Sequence, residues 1–375
     1  MSWANMKLKL FGVSLLTLLG CIALPCTAKE FFIGADISAF TLFEESGAKY
    51  LENGEPKDLI VILKDNGFNT VRLRLFVSPN KEGLVTNDLP YTLNLAKRAK
   101  AHNMKLLLNF HYSDTWADPG KQFKPASWEN LSFEELKQTM QSYTASVIEA
   151  FKKENVLPDM VQIGNEITPG MLWPDGKVGA EYDNELQWEK FTSLLKAGIT
   201  GVRQAAPDPN LKIMLHIDQG GKKSVSQWFF NNINKHQVPY DMIGISYYPW
   251  WHGTIEELRE NLNYIATELK KDVMVVETAY AYTTGKRHEP PEKPPFPLTP
   301  QGQYDLLHTV TKAVLETPDK RGCGVCYWFP ESVPIAERSW MGGATALFDP
   351  NGNVLMGARA CVDAVDSEKL EKESK

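Results

Sequence analysis

The sequence has few cysteines and no excess of positive charge. Only 5 of the 375 residues are Cys, too few for a fold held together by a disulfide framework. The net charge of -6 leaves the chain without the basic face that binding to nucleic acid phosphates needs, so we predict no nucleic acid partner. With 43% hydrophobic and 23% charged residues, the chain has the composition of a globular protein with a large core.

Long apolar runs are also scarce, and the clearest one lies at the N-terminus. Lys7 and Lys9 precede an apolar run over 10–24, which is the pattern of a cleaved targeting signal. We favour a signal peptide over 1–28, cleaved after Ala28, and a freely secreted protein. The alternative is a lipoprotein signal over 1–20, since Leu18-Leu19-Gly20-Cys21 resembles a lipobox, and a lipid on Cys21 would be the only membrane contact. An uncleaved anchor is a third, weaker alternative.

Removal of residues 1–28 leaves three cysteines, Cys323, Cys326 and Cys361. A C-x-x-C spacing such as that of Cys323 and Cys326 is found in zinc and redox sites. Here there is no second C-x-x-C, and the pair lies in a β-like run, where residues three apart face opposite sides. We therefore interpret these cysteines as structural.

Apolar, β-rich runs alternate with helical patterns along the rest of the chain, which shows no solenoid repeat and no linker. The predicted strands share a mostly apolar character, as in parallel strands covered by helices, and cover 31–38, 70–77, 105–112, 160–167, 212–219, 242–249, 273–280 and 324–330. The predicted helices lie between them, over 57–66, 92–102, 133–153, 185–205, 224–234, 255–270 and 300–316.

Eight strands separated by seven helices predict an α/β fold, a single (β/α)8 barrel domain over 29–365. A charged tail over 366–375 is predicted to be solvated. A doubly wound sheet is the second choice, and it is disfavoured because no G-x-G-x-x-G follows the first strand.

Two glutamates lie at the C-terminal ends of predicted strands, which is where the active site of a (β/α)8 barrel is found. Glu166 ends the fourth strand and Glu277 the seventh, so the two carboxyls are expected to face one cavity. Glycoside hydrolysis needs such a pair, one to protonate the leaving oxygen and one to attack the sugar or activate water. A single carboxylate at a strand end could simply accept hydrogen bonds that stabilise the fold. The presence of two such carboxylates is what favours a catalytic role.

Further polar and aromatic side chains cluster at the same strand ends and are candidates for binding a polysaccharide. Each has a simpler structural reading as a core or turn residue, and the loop tryptophans are the better candidates for stacking on sugars. These residues are Arg72, Arg74, His111, Asp114, Trp116, Asn165, His216, Tyr247, Trp250 and Trp328.

Several long motifs resemble the β-1,4-galactanases of glycoside hydrolase family 53. The resembling stretches span about 31–360 and read TVRLRLFVSP, NFHYSDTWADPGKQ, VQIGNEITPGMLWPDG, ISYYPWWHGT, ETAYAYT and ATALFDPNGN. The resemblance implies a secreted endo-hydrolase of β-1,4-galactan, the galactose side chain of pectin, acting with retention of configuration and as a monomer.

The resemblance also implies residue roles. Glu166 would be the acid/base, with a raised pKa, and Glu277 the nucleophile, with a pKa kept low. Asn165 would bind the hydroxyl beside the reacting carbon, and Trp328 would form the floor under the sugar. Tyr247 would hydrogen-bond to Glu277, and Arg72 or Arg74 would keep Glu277 ionised.

The sequence departs from the family pattern at two positions. Asn109 stands where the family usually has Asp, and Gln219 where it usually has Asn. Some bacterial members hold calcium in the loop after strand seven, but here this loop offers only Glu289 and Glu292 as acids, so we predict no metal and no cofactor. The same long Pro-rich loop, 285–300, is expected to shape distant sugar subsites.

Three other functions fit less well. The same barrel and both glutamates are compatible with another β-1,4-glycan, such as mannan or glucan. A non-catalytic glycan-binding barrel is disfavoured because both glutamates are present. A metal-dependent barrel hydrolase would need His-x-His on the first strand, and 31–38 contains no histidine.

Overall fold

The computed structural model describes residues 30–284, 294–335 and 339–373, with the side chains of 372 and 373 left out. In these residues eight parallel strands form a closed barrel, which confirms the predicted (β/α)8 fold. The predicted signal segment 1–28, with Cys21, lies outside the described residues, as do Glu289, Glu292 and most of the Pro-rich loop.

The barrel strands follow one another around the barrel in chain order, and the last pairs with the first. Their bounds are β1 Phe32–Asp36, β2 Thr70–Leu75, β3 Lys105–Phe110, β4 Met160–Ile163, β5 Lys212–Ile217, β6 Met242–Ser246, β7 Asp272–Thr278 and β8 Gly322–Trp328. Two short hairpins add Leu51–Glu52 with Glu55–Pro56, and Gly170–Met171 with Gly176–Lys177.

All eight barrel strands end two to four residues before the predicted end. In β4 the apolar pattern predicted a strand through Ile167, but the strand ends at Ile163 because the backbone then turns. Gly164 has φ +86° and Glu166 has φ +46°, and neither value fits an extended strand. The Asn165-Glu166 pair therefore lies in the turn that opens onto the barrel mouth.

Helices surround the barrel, and the described residues contain two that were not predicted, α1 and α9. The bounds are α1 Phe40–Glu45, α2 Leu59–Asp65, α3 Leu89–Ala101, α4 Phe133–Lys153, α5 Glu185–Ala205, α6 Lys223–Lys235, α7 Ile255–Tyr264, α8 Pro300–Leu315 and α9 Ala360–Glu373. The predicted bounds of α4 and α5 are confirmed, and α4 begins with the capping box of Ser132 and Glu135. The predicted tail belongs largely to α9, and most of its described side chains, over 366–371, are exposed.

The core lies between the barrel and the helices, and a smaller apolar cluster of Met, Leu, Val and Cys side chains includes Met160, Met214 and Met274. Cys323, Cys326 and Cys361 are buried thiols, and the described residues form no disulfide with them. Among the described residues no helix is long and apolar enough to cross a membrane.

Candidate active site

A cleft of about 590 Å³ opens at the C-terminal ends of the barrel strands. It brings together eight of the side chains predicted from the sequence: Arg72, Arg74, His111, Trp116, Asn165, Glu166, Glu277 and Trp328. The cleft is also lined by residues that are not among the predicted site residues, including Asp36, Asp218, Tyr248, Trp251, His252 and Trp340.

Arg72 is the cation that contacts Glu277. Its Nη1 atom lies 2.7 Å from Oε1 of Glu277 and 2.8 Å from Oδ2 of Asp36, and the three side chains are almost fully buried. Because all three are withdrawn from water, the arginine compensates two carboxylates that would otherwise be costly to bury. Of the two arginines between which the sequence left the choice open, Arg72 is therefore the one that contacts Glu277.

Arg74 lies elsewhere in the cleft wall. Its Nε donates to Oδ1 of Asn87 at 2.9 Å, and its Cζ lies 4.2 Å from the centre of the Trp116 ring. The stacked guanidinium fixes one face of Trp116, and Trp116 in turn contacts Trp328 edge to face, with ring centres 6.2 Å apart. Arg74 thus supports the aromatic wall of the cleft.

Asn165 is held in a single orientation by the buried polar groups around it. Its Oδ1 accepts from Nη2 of Arg72 at 2.8 Å and from Nδ2 of Asn109 at 2.9 Å, while its Nδ2 donates to the Ala117 carbonyl at 2.9 Å. Asn109 is one of the two departures from the family pattern, and its amide can donate here where a carboxylate could not.

Glu166 has different neighbours from Glu277. Its Oε1 accepts a hydrogen bond of 2.6 Å from the Ser246 hydroxyl, and its backbone takes the left-handed conformation, a strained geometry for a glutamate. Nε2 of Gln122 donates to the carbonyls of Asn165 and Glu166 at 2.8 and 3.2 Å, which holds this turn in place.

Burial raises the pKa of Glu166 well above its usual range, and the nearby charge of Glu277 raises it further, whereas the Ser246 hydrogen bond lowers it. Burial also raises the pKa of Glu277, and the Arg72 guanidinium offsets this effect only in part. The low pKa expected for Glu277 is therefore wrong, because burial outweighs the contact with Arg72 and the charge of Asp36 raises the pKa further. Both carboxyls favour the protonated form more than a free glutamate does, and Glu166 more strongly than Glu277.

The hydrogen bond to Glu277 that was predicted for Tyr247 is wrong. The Tyr247 hydroxyl donates to the Gly253 carbonyl at 3.0 Å, and Tyr248 lies against Glu277 with its hydroxyl 3.4 Å from Oε2. Side chains alternate along an extended chain, so Tyr248, two residues beyond Ser246 at the end of β6, lies on the same side as Ser246. Counting by two from Ser246 would have identified the correct tyrosine.

Three other predicted binding residues do not line the cleft. Asp114 accepts from the backbone N–H groups of Ser78 and Ala126 at 2.8 and 2.9 Å and so holds its loop together. Trp250 stacks on Tyr280, and it is the neighbouring Trp251, 55% exposed, that faces the cleft. His216 is fully buried behind Glu166 and contacts Ser246.

The contacts of two cleft residues that were not predicted as site residues have weak sequence signals. Asp218 follows the end of β5, two residues beyond His216, and its carboxylate accepts from Thr168, a contact that no local pattern predicts. Trp340 follows β8 by twelve residues, yet its ring contacts Trp328 at 4.4 Å between centres. Over residues 30–284, 294–335 and 339–373, no group of three His, Cys, Asp or Glu side chains could hold a metal ion.

The sequence and the fold of this chain match those of known glycosidases. The profile of glycosyl hydrolase family 53 matches residues 32–360. An endo-β-1,4-galactanase of Bacillus subtilis strain 168 is 35% identical over 87% of this chain and 76% of its own length. An arabinogalactan endo-β-1,4-galactanase of Humicola insolens is 34% identical over 86% of this chain and 96% of its own. The GH53 catalytic domain of Ignisphaera aggregans has a TM-score of 0.81 at 34% identity, covering 90% of this chain and 97% of that domain.

Proposed function

Because this chain belongs to glycosyl hydrolase family 53 and is therefore a glycoside hydrolase, we propose that it cleaves β-1,4-galactosidic bonds inside galactan and arabinogalactan chains. The observation that carries the proposal is the unequal environment of the two carboxyls that face one cleft. Glu277 contacts the Arg72 guanidinium at 2.7 Å, whereas Glu166 accepts from the neutral Ser246 hydroxyl at 2.6 Å. Galactan as the substrate is supported by the names of the relatives, which are galactanases.

In the first step Glu277 is the nucleophile. Its carboxylate attacks the anomeric carbon, the bond from that carbon to the glycosidic oxygen breaks, and the oxygen takes the proton of Glu166. The contact with Arg72 favours the ionised form of Glu277, and the raised pKa of Glu166 keeps its proton available near neutral pH.

In the second step Glu166 acts as the base and Glu277 is the leaving group. Glu166, now ionised, takes a proton from a water molecule, whose oxygen attacks the anomeric carbon and releases Glu277. The first product leaves with the proton that Glu166 donated, so Glu166 is then ionised and ready to serve as the base. Two inversions at one carbon give overall retention.

The remaining side chains bind the sugar in this proposal. Asn165, whose Nδ2 and Oδ1 are already oriented by Ala117 and Arg72, binds the hydroxyl next to the reacting carbon. Trp328 lies under the sugar at the cleavage point, and Trp116, Trp251 and Trp340 extend the aromatic lining on which further sugar units stack.

Outside the cleft, the proposal retains the expectations from the sequence. The protein acts outside the cytoplasm as a monomer without a cofactor, released after Ala28 or attached through lipid on Cys21. The Pro-rich loop, 285–300, follows β7 and shapes subsites distant from the cleavage point.

Product analysis tests the substrate. We expect purified enzyme to release short oligosaccharides from unbranched β-1,4-galactan and to leave mannan, xylan and cellulose intact. Glu166→Gln and Glu277→Gln should be folded and inactive on galactan. Release of oligosaccharides from mannan or cellulose at a higher rate than from galactan would assign the same cleft to another β-1,4-glycan.

A further inference from the structure

A closed circuit of hydrogen bonds connects the backbone of Glu166 to its own carboxyl through His216 and Ser246. The Glu166 backbone N–H points at Nδ1 of His216 at 3.3 Å, and Nε2 of His216 lies 2.9 Å from Oγ of Ser246. The Ser246 hydroxyl then reaches Oε1 of Glu166 at 2.6 Å. His216 and Ser246 are fully buried, so water does not compete for these contacts.

The position of each proton in this circuit follows from the donors that surround Nδ1 of His216. Besides the Glu166 N–H, Nε2 of Gln162 lies 3.0 Å from Nδ1. The orientation of the Gln162 amide is fixed, because its Oε1 accepts from Nε and Nη2 of Arg72 at 3.3 and 3.2 Å. The backbone N–H of Glu166 can only donate, so Nδ1 must accept, and a neutral imidazole then carries its single proton on Nε2. The two hydrogens of Gln162 Nε2 have nearer acceptors in Oδ1 of Asn109 and the Gly164 carbonyl, at 2.7 and 2.9 Å.

The imidazole is neutral in this environment. Burial, with the charge of Arg72 next, lowers the pKa of His216 well below its usual range, and His111 and His252 act in the same direction. Nε2–H therefore donates to Oγ of Ser246. The serine's only proton is left to point at Oε1 of Glu166, because the imidazole offers it no acceptor.

We propose that His216 and Ser246 act as positioning residues that make Oε1 of Glu166 a permanent acceptor, so that the acidic proton resides on Oε2. No hydrogen bond reaches Oε2 from the part of the chain that the structure describes, and Glu166 lines the cleft. The proton is thereby held on the oxygen that is free to face the glycosidic bond. The inference rests on the proposed role of Glu166 as the acid.

The circuit has a second consequence in the step that needs the base. When Glu166 has given up its proton, the Ser246 hydrogen bond stabilises the carboxylate, which also feels Glu277, Asp218 and Arg72. Loss of the serine hydroxyl should therefore make Glu166 harder to ionise. It should also allow the proton to occupy Oε1, where it is misplaced for transfer.

The test compares Ser246→Ala with Ser246→Thr, which keeps a hydroxyl, and with the control Ser226→Ala. Ser226 is another buried serine, and its hydroxyl has no hydrogen-bond partner among the described residues. For Ser246→Ala we expect kcat/KM on galactan to fall about 10- to 100-fold. We expect the alkaline limb of the pH profile to move about one unit upward, because the pKa of Glu166 rises.

The leaving group separates a proton-transfer defect from a general structural one. On aryl galactobiosides with a nitrophenol leaving group, which need no proton in the first step, formation of the glycosyl-enzyme by Ser246→Ala should stay within about threefold of the parent rate. Ser246→Thr and Ser226→Ala should resemble the parent on both substrates. Introduced into the parent enzyme, His216→Phe should shift the alkaline limb of the pH profile. Introduced into Ser246→Ala, it should cause no further shift, because both residues act on Glu166 through one hydrogen bond.

An unchanged pH profile in Ser246→Ala, or equal losses on galactan and on the activated substrates, would overturn the proposal. A neutron structure of the parent enzyme gives an independent answer, since hydrogen on Nδ1 of His216 would also contradict it. If the parent cleaves mannan and not galactan, the proposed substrate fails, and the same comparison with aryl mannobiosides still tests the circuit.

Discussion

Arg72 and Glu277 form a buried ion pair of 2.7 Å, and the nitrogen that contacts Glu277 also contacts Asp36 at 2.8 Å. One positive charge thus serves two carboxylates. Asp36 keeps the pKa of Glu277 higher than Arg72 alone would allow. The pKa of Glu277, the proposed nucleophile, therefore depends on Asp36 as well as on Arg72.

Asp36→Asn should lower the pKa of Glu277, because it removes a negative charge that shares Arg72. Glu277 must be ionised to attack, so activity is lost as the pH falls through its pKa. We expect the acid limb of the kcat/KM profile to move to lower pH by about half a unit to one unit. Asp366→Asn, at an exposed position in α9, is the control and should leave the profile unchanged. A shift of the acid limb to higher pH would contradict this role.

Tyr248→Phe and Tyr247→Phe form a matched pair of adjacent changes. The first removes the hydroxyl beside Glu277, and kcat on galactan should fall about 10-fold. The second removes the hydrogen bond to Gly253, and it should cost about 1 kcal/mol in the free energy of unfolding with kcat unchanged. Steady-state kinetics and urea unfolding measure the two effects. A larger loss of kcat in Tyr247→Phe would restore the assignment made from the sequence.

Trp251→Ala should weaken substrate binding without slowing the chemical step. The side chain is 55% exposed and lines the cleft, so little packing is lost with it. We expect KM for galactan to rise about 3- to 10-fold, with kcat within a factor of two. Leu370→Ala, at a side chain 67% exposed in α9, is the control for loss of exposed apolar surface. A KM equal to that of the parent would exclude Trp251 from the sugar path.

Glu331 should make the folded state less stable as the pH rises. Burial raises the pKa of this carboxyl to about 8, and its Oε1 accepts from the Ala39 N–H at 2.9 Å. The unfolded chain releases this proton near its ordinary pKa of about 4.3, so stability is full below that pH and falls as the pH rises towards 8.

Glu331→Gln should remove this loss, which amounts to about 3–5 kcal/mol between pH 4 and pH 8. Urea unfolding of the parent and the variant at both pH values measures the difference, with the exposed Glu45→Gln as the control. The prediction fails if parent and variant show the same pH dependence.

The sequence was sufficient to predict the barrel, since parallel strands buried on both faces and amphipathic helices leave strong patterns. It also placed Glu166 and Glu277 in one cleft, because strand ends meet at the barrel mouth. It did not show the positive φ of Glu166, which depends on the turn after β4. Nor did it show that His216 lies behind Glu166, because contacts between strands are not visible in a local pattern. The six residues of α1 are too few for a clear helical period.

The central claim is that Glu277 attacks the sugar and Glu166 donates the proton, and covalent trapping tests it most directly. A 2-deoxy-2-fluoro galactobioside with a good leaving group should form its glycosyl-enzyme faster than it is hydrolysed. Peptide mass spectrometry should then find the label on the peptide containing VMVVETAY, on Glu277. A label on Glu166, or on any other residue, would contradict this mechanism, as would an unlabelled enzyme that releases the α-anomer from galactan.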